Sequence, residues 1–120
     1  DGMLLLMASK VLGDTSYVDY AEDQLNYILG RNPVSYCYVT GYGSQTPENP
    51  HHRPSEVLGK AMPGMLVGGA DGNLEDPYAT AVLAKLPKER CYVDNAQSYS
   101  CNEVTIYWNS PLVYLLANFK

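Results

Sequence analysis

Basic residues are scarce in this chain: eight Lys and Arg stand against thirteen Asp and Glu, giving a formal charge of −5. They form no run, which excludes a nucleic-acid surface, because phosphate recognition needs clustered Lys and Arg. Long apolar runs are missing as well. Leu4-Leu5-Leu6-Met7-Ala8 falls far short of the ~20 residues that cross a bilayer, and the acidic residue ahead of it does not suit a signal peptide. Cysteine is sparse and odd in number. Cys37, Cys91 and Cys101 have no CxxC spacing, so neither a zinc ribbon nor a disulfide framework is implied. Three buried thiols fit better than one bridge plus a free thiol. The two histidines, His51 and His52, are adjacent rather than spaced as metal ligands, and no metal is expected at them.

What the chain does have is tyrosine, eleven in 120 residues. Flat rings with a polar tip suit carbohydrate, and equally suit half-buried packing. Gly2 to Leu12 is apolar nearly all round, the pattern of a buried helix. A second helix starts near Ser16, with Tyr17, Ala21, Leu25 and Ile28 on one face and Gly30 and Pro33 stopping it. From Arg31 to Asp76 no period is sustained, so a long functional loop region is expected, with Val39-Thr40 and Met65-Leu66-Val67 as short extended pieces. Asp76-Pro77 should cap a short helix reaching Leu86, and Pro111 should open the last one.

The densest chemistry lies between Tyr92 and Asn109, where Asp94 and Glu103 sit among Tyr92, Tyr99, Tyr107 and Trp108. Aromatic-x-Asp94, then Tyr99, Glu103-x-Thr105 and Asn109-Ser110 resembles the C-terminal signature of glycoside hydrolase family 9. Upstream, Tyr38-Val39-Thr40-Gly41-Tyr42-Gly43 followed by Pro50-His51-His52-Arg53 is similar to that family's histidine signature. The segments Gln24–Pro33 and Pro63–Gly69 read alike too. Gln45 and Cys37 depart from the usual residues, at positions without expected chemistry.

The resemblance implies an all-α fold: part of an (α/α)6 barrel carrying long functional loops. Twelve helices of roughly 11–12 residues cannot be drawn from 120 residues, and the chain starts Asp1-Gly2 without an initiator methionine. It is therefore expected to be residues 1–120 of a C-terminal portion of the catalytic domain, with the upstream part of that domain as its partner. The implied activity is inverting hydrolysis of β-1,4-glucosidic bonds in cellulose or a related β-glucan, at an extracellular or cell-surface location. The alternative is a carbohydrate-binding relative that kept the groove and lost hydrolysis.

By the same resemblance Glu103 is the general acid, and Val104, Ile106, Tyr107 and Trp108 could raise its pKa. Ser100-x-x-Glu103 is also a capping box, and taken alone would favour that reading; two matched signatures favour the acid. Asp94 would be a supporting carboxylate in the catalytic set, or else a turn aspartate, because the family's base comes from an Asp-rich segment that nothing here matches. His51 and Arg53 would flank the cleaved linkage, donating to sugar hydroxyls. Tyr99 would stack on a sugar or simply pack. Asn102 and Asn109 would fix backbone. No cofactor is needed for the chemistry. A structural calcium is left open by the family, although Asp71–Asp76 lacks the glycine and the terminal Glu of an EF-hand loop and reads better as a polar turn.

Overall fold

The computed structural model describes residues 1–119, and among them every named element is helical. Helix α1 runs Gly2–Leu12 and α2 Ser16–Ile28. The start of α2 is held from outside it: Asp14 Oδ1 accepts from the Ser16 backbone N–H at 2.9 Å and its hydroxyl at 2.7 Å. Ala21 and Leu25 are buried on the predicted face. Ala21 packs with Leu6 and Leu115 where α1, α2 and the last helix meet, while Leu25 belongs to the neighbouring core that holds Leu112.

The all-round apolar pattern of α1 does not translate into all-round burial. Only Gly2 and Leu6 are buried, while Leu4, Met7, Val11 and Leu12 are exposed. The last helix, α6, begins five residues earlier than expected, spanning Ile106–Asn118 with Pro111 inside it. Thr105 Oγ1 caps it by accepting from Tyr107 N–H. Asn109 then ties the first turn down before the proline can end it. Pro111 lacks the N–H that would reach back one turn to the Tyr107 carbonyl, and that turn lies on an open face.

Between these helices lie short ones: α3 (Arg53–Leu58), α4 (Pro77–Leu83) and α5 (Tyr99–Asn102), plus a 3-10 turn at Lys88–Arg90. The expected loop region thus contains α3, and α4 stops three residues short of Leu86. Asp76 caps α4 as the Asp-Pro pair implied, accepting from Ala79 N–H at 2.6 Å.

The functional part is organised by a narrow ladder of isolated bridges. Val39 pairs with Leu66, Val67 with Val104, and Glu103 with His51. The hydrogen bonds run Thr40 N–H to Met65 O (2.9 Å), Val67 N–H to Tyr38 O (3.0 Å), Gly68 N–H to Glu103 O (3.1 Å), Gly69 N–H to Cys101 O (2.8 Å) and His51 N–H to Asn102 O (2.8 Å). Both predicted extended pieces are in it. Gly69 is needed because its φ is +87° and a Cβ there would sit 3.2 Å from the Tyr38 ring; other residues are strained in that conformation.

A core of Leu25, Cys37, Tyr38, Val39, Leu66, Val67, Tyr92, Cys101 and Leu112 backs the ladder. Tyr36 and Tyr38 both pack on Tyr92, with ring centroids 4.9 and 5.0 Å away. These three rings are packing residues, whereas Tyr20, Tyr27, Tyr42, Tyr99 and Tyr107 are exposed. Cys37, Cys91 and Cys101 are buried free thiols, and burial pushes the Cys101 thiol up.

Candidate active site

Glu103 follows α5 directly and is extended (φ −73°, ψ 145°). Its backbone is held on both sides, by Gly68 and by the bridge to His51. The capping box does not form, since α5 starts after Ser98 and has no side-chain cap bond. The Ser100 hydroxyl donates to Asp76 Oδ2 at 2.6 Å instead. The half-buried Glu103 carboxylate has no hydrogen-bond partner among the described residues. The apolar wall expected around it is not closed by its neighbours. Ile106 and Tyr107 are 79% and 83% exposed, and Trp108 donates its indole N–H to Leu66 O at 2.9 Å.

His51 is the residue brought beside Glu103. Its Nδ1 lies 2.6 Å from Ala96 O. A carbonyl can only accept, so Nδ1 carries the proton and Nε2 is left for other contacts. The imidazole also meets the Tyr99 ring edge-on, with centroids 6.1 Å apart. Tyr99 is half exposed, with its hydroxyl donating to Glu75 O at 3.0 Å; the ring face remains available and the polar tip is anchored. Arg53, the first residue of α3, is exposed two positions beyond His51. His52 turns away, its Nδ1 2.9 Å from Ser55 Oγ.

Asp94 is engaged by protein donors. Oδ2 accepts from Glu48 N–H (2.8 Å) and from the Asn49 amide (3.3 Å), while Oδ1 accepts from Asn49 N–H (2.9 Å) and the Asn102 amide (3.1 Å). The carboxylate thus holds the Glu48-Asn49-Pro50 approach to His51. Tyr36 and Tyr92 lie near it. Burial first, and then the Asp94 charge, raise both phenols, Tyr36 to about 12, so both hydroxyls stay protonated donors.

Asn102, fully buried, links the same pieces. Its amide N–H groups reach Asn49 O (2.7 Å) and Asp94, and its Oδ1 accepts from Tyr92 OH at 2.7 Å. Asn109 grips Leu66 by both backbone groups, accepting from N–H at 2.8 Å and donating to O at 2.9 Å. Both asparagines fix backbone.

Sequence reasoning missed the reach of Asp76. This carboxylate is 1% exposed and its Oδ2 accepts from Ser98 Oγ (2.7 Å), Ser100 Oγ (2.6 Å) and Ser100 N–H (3.1 Å). Asp-Pro signalled its cap, but nothing local signals bonds to residues over twenty positions away. Burial works to raise its pKa; the donors from Ala79, Ser100 and Ser98 together outweigh burial, and the net shift is downward. Its folded pKa lies below the unfolded value, so its stabilisation is present above about pH 4. That stabilisation is lost as pH falls through the folded value. Urea unfolding should show wild type losing stability below about pH 4 more steeply than Asp76→Asn; parallel slopes would count against this role.

In the Asp71–Asp76 turn, the Asp76 oxygens are taken by protein donors. Asp71 Oδ1 closes a turn on Asn73 N–H at 3.0 Å. Among the described residues no three His, Cys, Asp or Glu side chains converge as metal ligands.

Comparison with known proteins places this arrangement. Residues 1–116 match the profile of glycosyl hydrolase family 9. The chain is 42% identical to a cellodextrinase of Butyrivibrio fibrisolvens, over 96% of its own length and 22% of the relative's. It is 40% identical to a xyloglucan-specific endo-beta-1,4-glucanase of Bacteroides ovatus, over 98% of its length and 20% of that protein's. The solved structure of AaCel9A with a cellobiose-like isofagomine superposes with a TM-score of 0.90 at 40% identity, covering 98% of this chain and 23% of that one. The chain thus spans about a fifth of these relatives' length. Its helices correspond to part of an (α/α)6 barrel. On the profile match and these identities, the chain belongs to glycosyl hydrolase family 9.

Proposed function

We propose that the chain is the acid-bearing, C-terminal portion of a catalytic domain that hydrolyses β-1,4-glucosidic linkages in cellulose or a related β-glucan with inversion. One observation carries it: the backbone bridge that sets Glu103 against His51, while the Glu103 carboxylate has no hydrogen-bond partner among the described residues. In this reading Glu103 protonates the departing glycosidic oxygen, and a base aspartate upstream of this chain activates water on the opposite face. Inversion needs the two carboxyl groups roughly 6.5–9.5 Å apart, so that the water fits between them. His51 Nε2, Arg53 and the Tyr99 ring bind the sugars flanking the cleaved bond. Asp94 supports the site through the loop it holds. The names of the relatives, a cellodextrinase and a xyloglucan-specific glucanase, support the β-glucan class. A polymeric β-glucan substrate would suit an extracellular or cell-surface enzyme.

The test is the anomer released by the full-length protein from a soluble β-glucan. Proton NMR should show the α-anomer first, and a β-anomer burst would overturn inversion. The 120-residue chain alone should hydrolyse none, because it lacks the base; turnover by the isolated chain would refute the division of the two carboxyl groups.

A further inference from the structure

The geometry points to Asp76 as a positioning residue for the acid, acting through Ser98 and Ser100 on the α5 turn that delivers Glu103; this rests on the proposed role of Glu103. Three observations converge. The Asp76 carboxylate is almost wholly buried yet binds four protein donors, an investment a helix of seven residues does not need for its cap alone. Its Oδ1 closes α4, whereas Oδ2 takes every donor from the segment just before Glu103. The preceding residue, Glu75, accepts from Tyr99 OH, so the Glu75-Asp76 pair grips three consecutive residues, 98 to 100.

Downstream of that grip the backbone has little freedom. Ser98 O accepts from Asn102 N–H at 3.1 Å, Cys101 O from Gly69, and Asn102 O from His51. A shift at Ser100 therefore travels along the turn to Glu103. The ionised state of Asp76 suits this role, since all its partners are donors. Charge-assisted bonds of this kind are stronger and shorter than neutral ones. A misplacement of about 1 Å in a reacting group can cost about 10²-fold in rate.

The experiment uses the full-length enzyme with two substrates. A cellooligosaccharide leaves as a poor leaving group and needs the acid, whereas a 2,4-dinitrophenyl β-cellobioside departs unprotonated. Ser100→Ala removes one donor and leaves the α4 cap; Asp76→Asn alters both. On the oligosaccharide, kcat per folded enzyme should fall about tenfold in Ser100→Ala and about 10²-fold in Asp76→Asn, with KM little changed. On the activated substrate both should stay within about threefold.

Equal losses on the two substrates, or a lower Tm with unchanged kcat, would overturn the inference. If Asp76→Asn does not fold, Ser100→Ala decides alone. Glu103→Gln run in parallel separates the two ideas. Its retention of oligosaccharide hydrolysis would remove the acid assignment itself. Loss of that activity, together with a Ser100→Ala enzyme indifferent to leaving group, would remove only Asp76.

Discussion

Glu103→Gln in the full-length enzyme should lower kcat on β-glucan by about 10³- to 10⁴-fold, the upper range for removing a general acid. The substitution keeps shape and takes away only the transferable proton. Among the described residues the Glu103 carboxylate has no bond to lose, and its position is fixed through the backbone at Gly68 and His51. KM and Tm should therefore stay close to wild type, which separates loss of chemistry from loss of fold. The pH profile supplies a second reading. The alkaline limb of kcat/KM reports the acid losing its proton and should flatten in the variant. Turnover near wild type would remove Glu103 from the acid role.

Asp94→Ala should produce the next largest change, and of a different kind. Four donors lose their acceptor at once: the backbone N–H groups of Glu48 and Asn49 and the side-chain amides of Asn49 and Asn102. A buried donor left unpaired costs about 1–3 kcal/mol, so stability should fall by a few kcal/mol even with water repairing the exposed ones. The 48–50 segment leads straight into His51, whose backbone bonds to Asn102. The His51 ring, proposed to flank the cleaved bond, should move with it. We expect kcat to drop about 10²-fold with KM raised, and the loss should be shared by good and poor leaving groups. Asp94→Asn should recover part of both, because one oxygen still accepts. Unchanged KM together with unchanged Tm would show that Asp94 does not hold this loop.

How much of this could be read from the letters alone depended on distance along the chain. The helices α1 and α2 were legible in apolar spacing, as were the Asp76 cap and the extended pieces around Val39 and Leu66. Each is a local signal. Glu103, His51, Arg53 and Tyr99 stood out through two long motifs. The bridge uniting His51 and Glu103 was not visible, since no periodicity encodes a pairing across half the chain. The start of α6 was misplaced because Pro111 is a strong local breaker. The anchor that overrides it, Asn109 on Leu66, is a tertiary contact. The same limit hid Asp76, and it explains why Ser100-x-x-Glu103 looked like a cap. Its hydroxyl has a buried carboxylate to serve elsewhere.

The ladder of three bridges has a kinetic corollary. Every rung joins segments separated by dozens of residues, and closing such loops loses chain entropy before any pairing rewards it. The helices can form early from neighbouring contacts, whereas the rung between His51 and Glu103 spans the longest separation of the three and should close last. During refolding of the full-length protein, recovery of catalysis should lag the return of helical signal. This segment becomes helical first and joins His51 to Glu103 last.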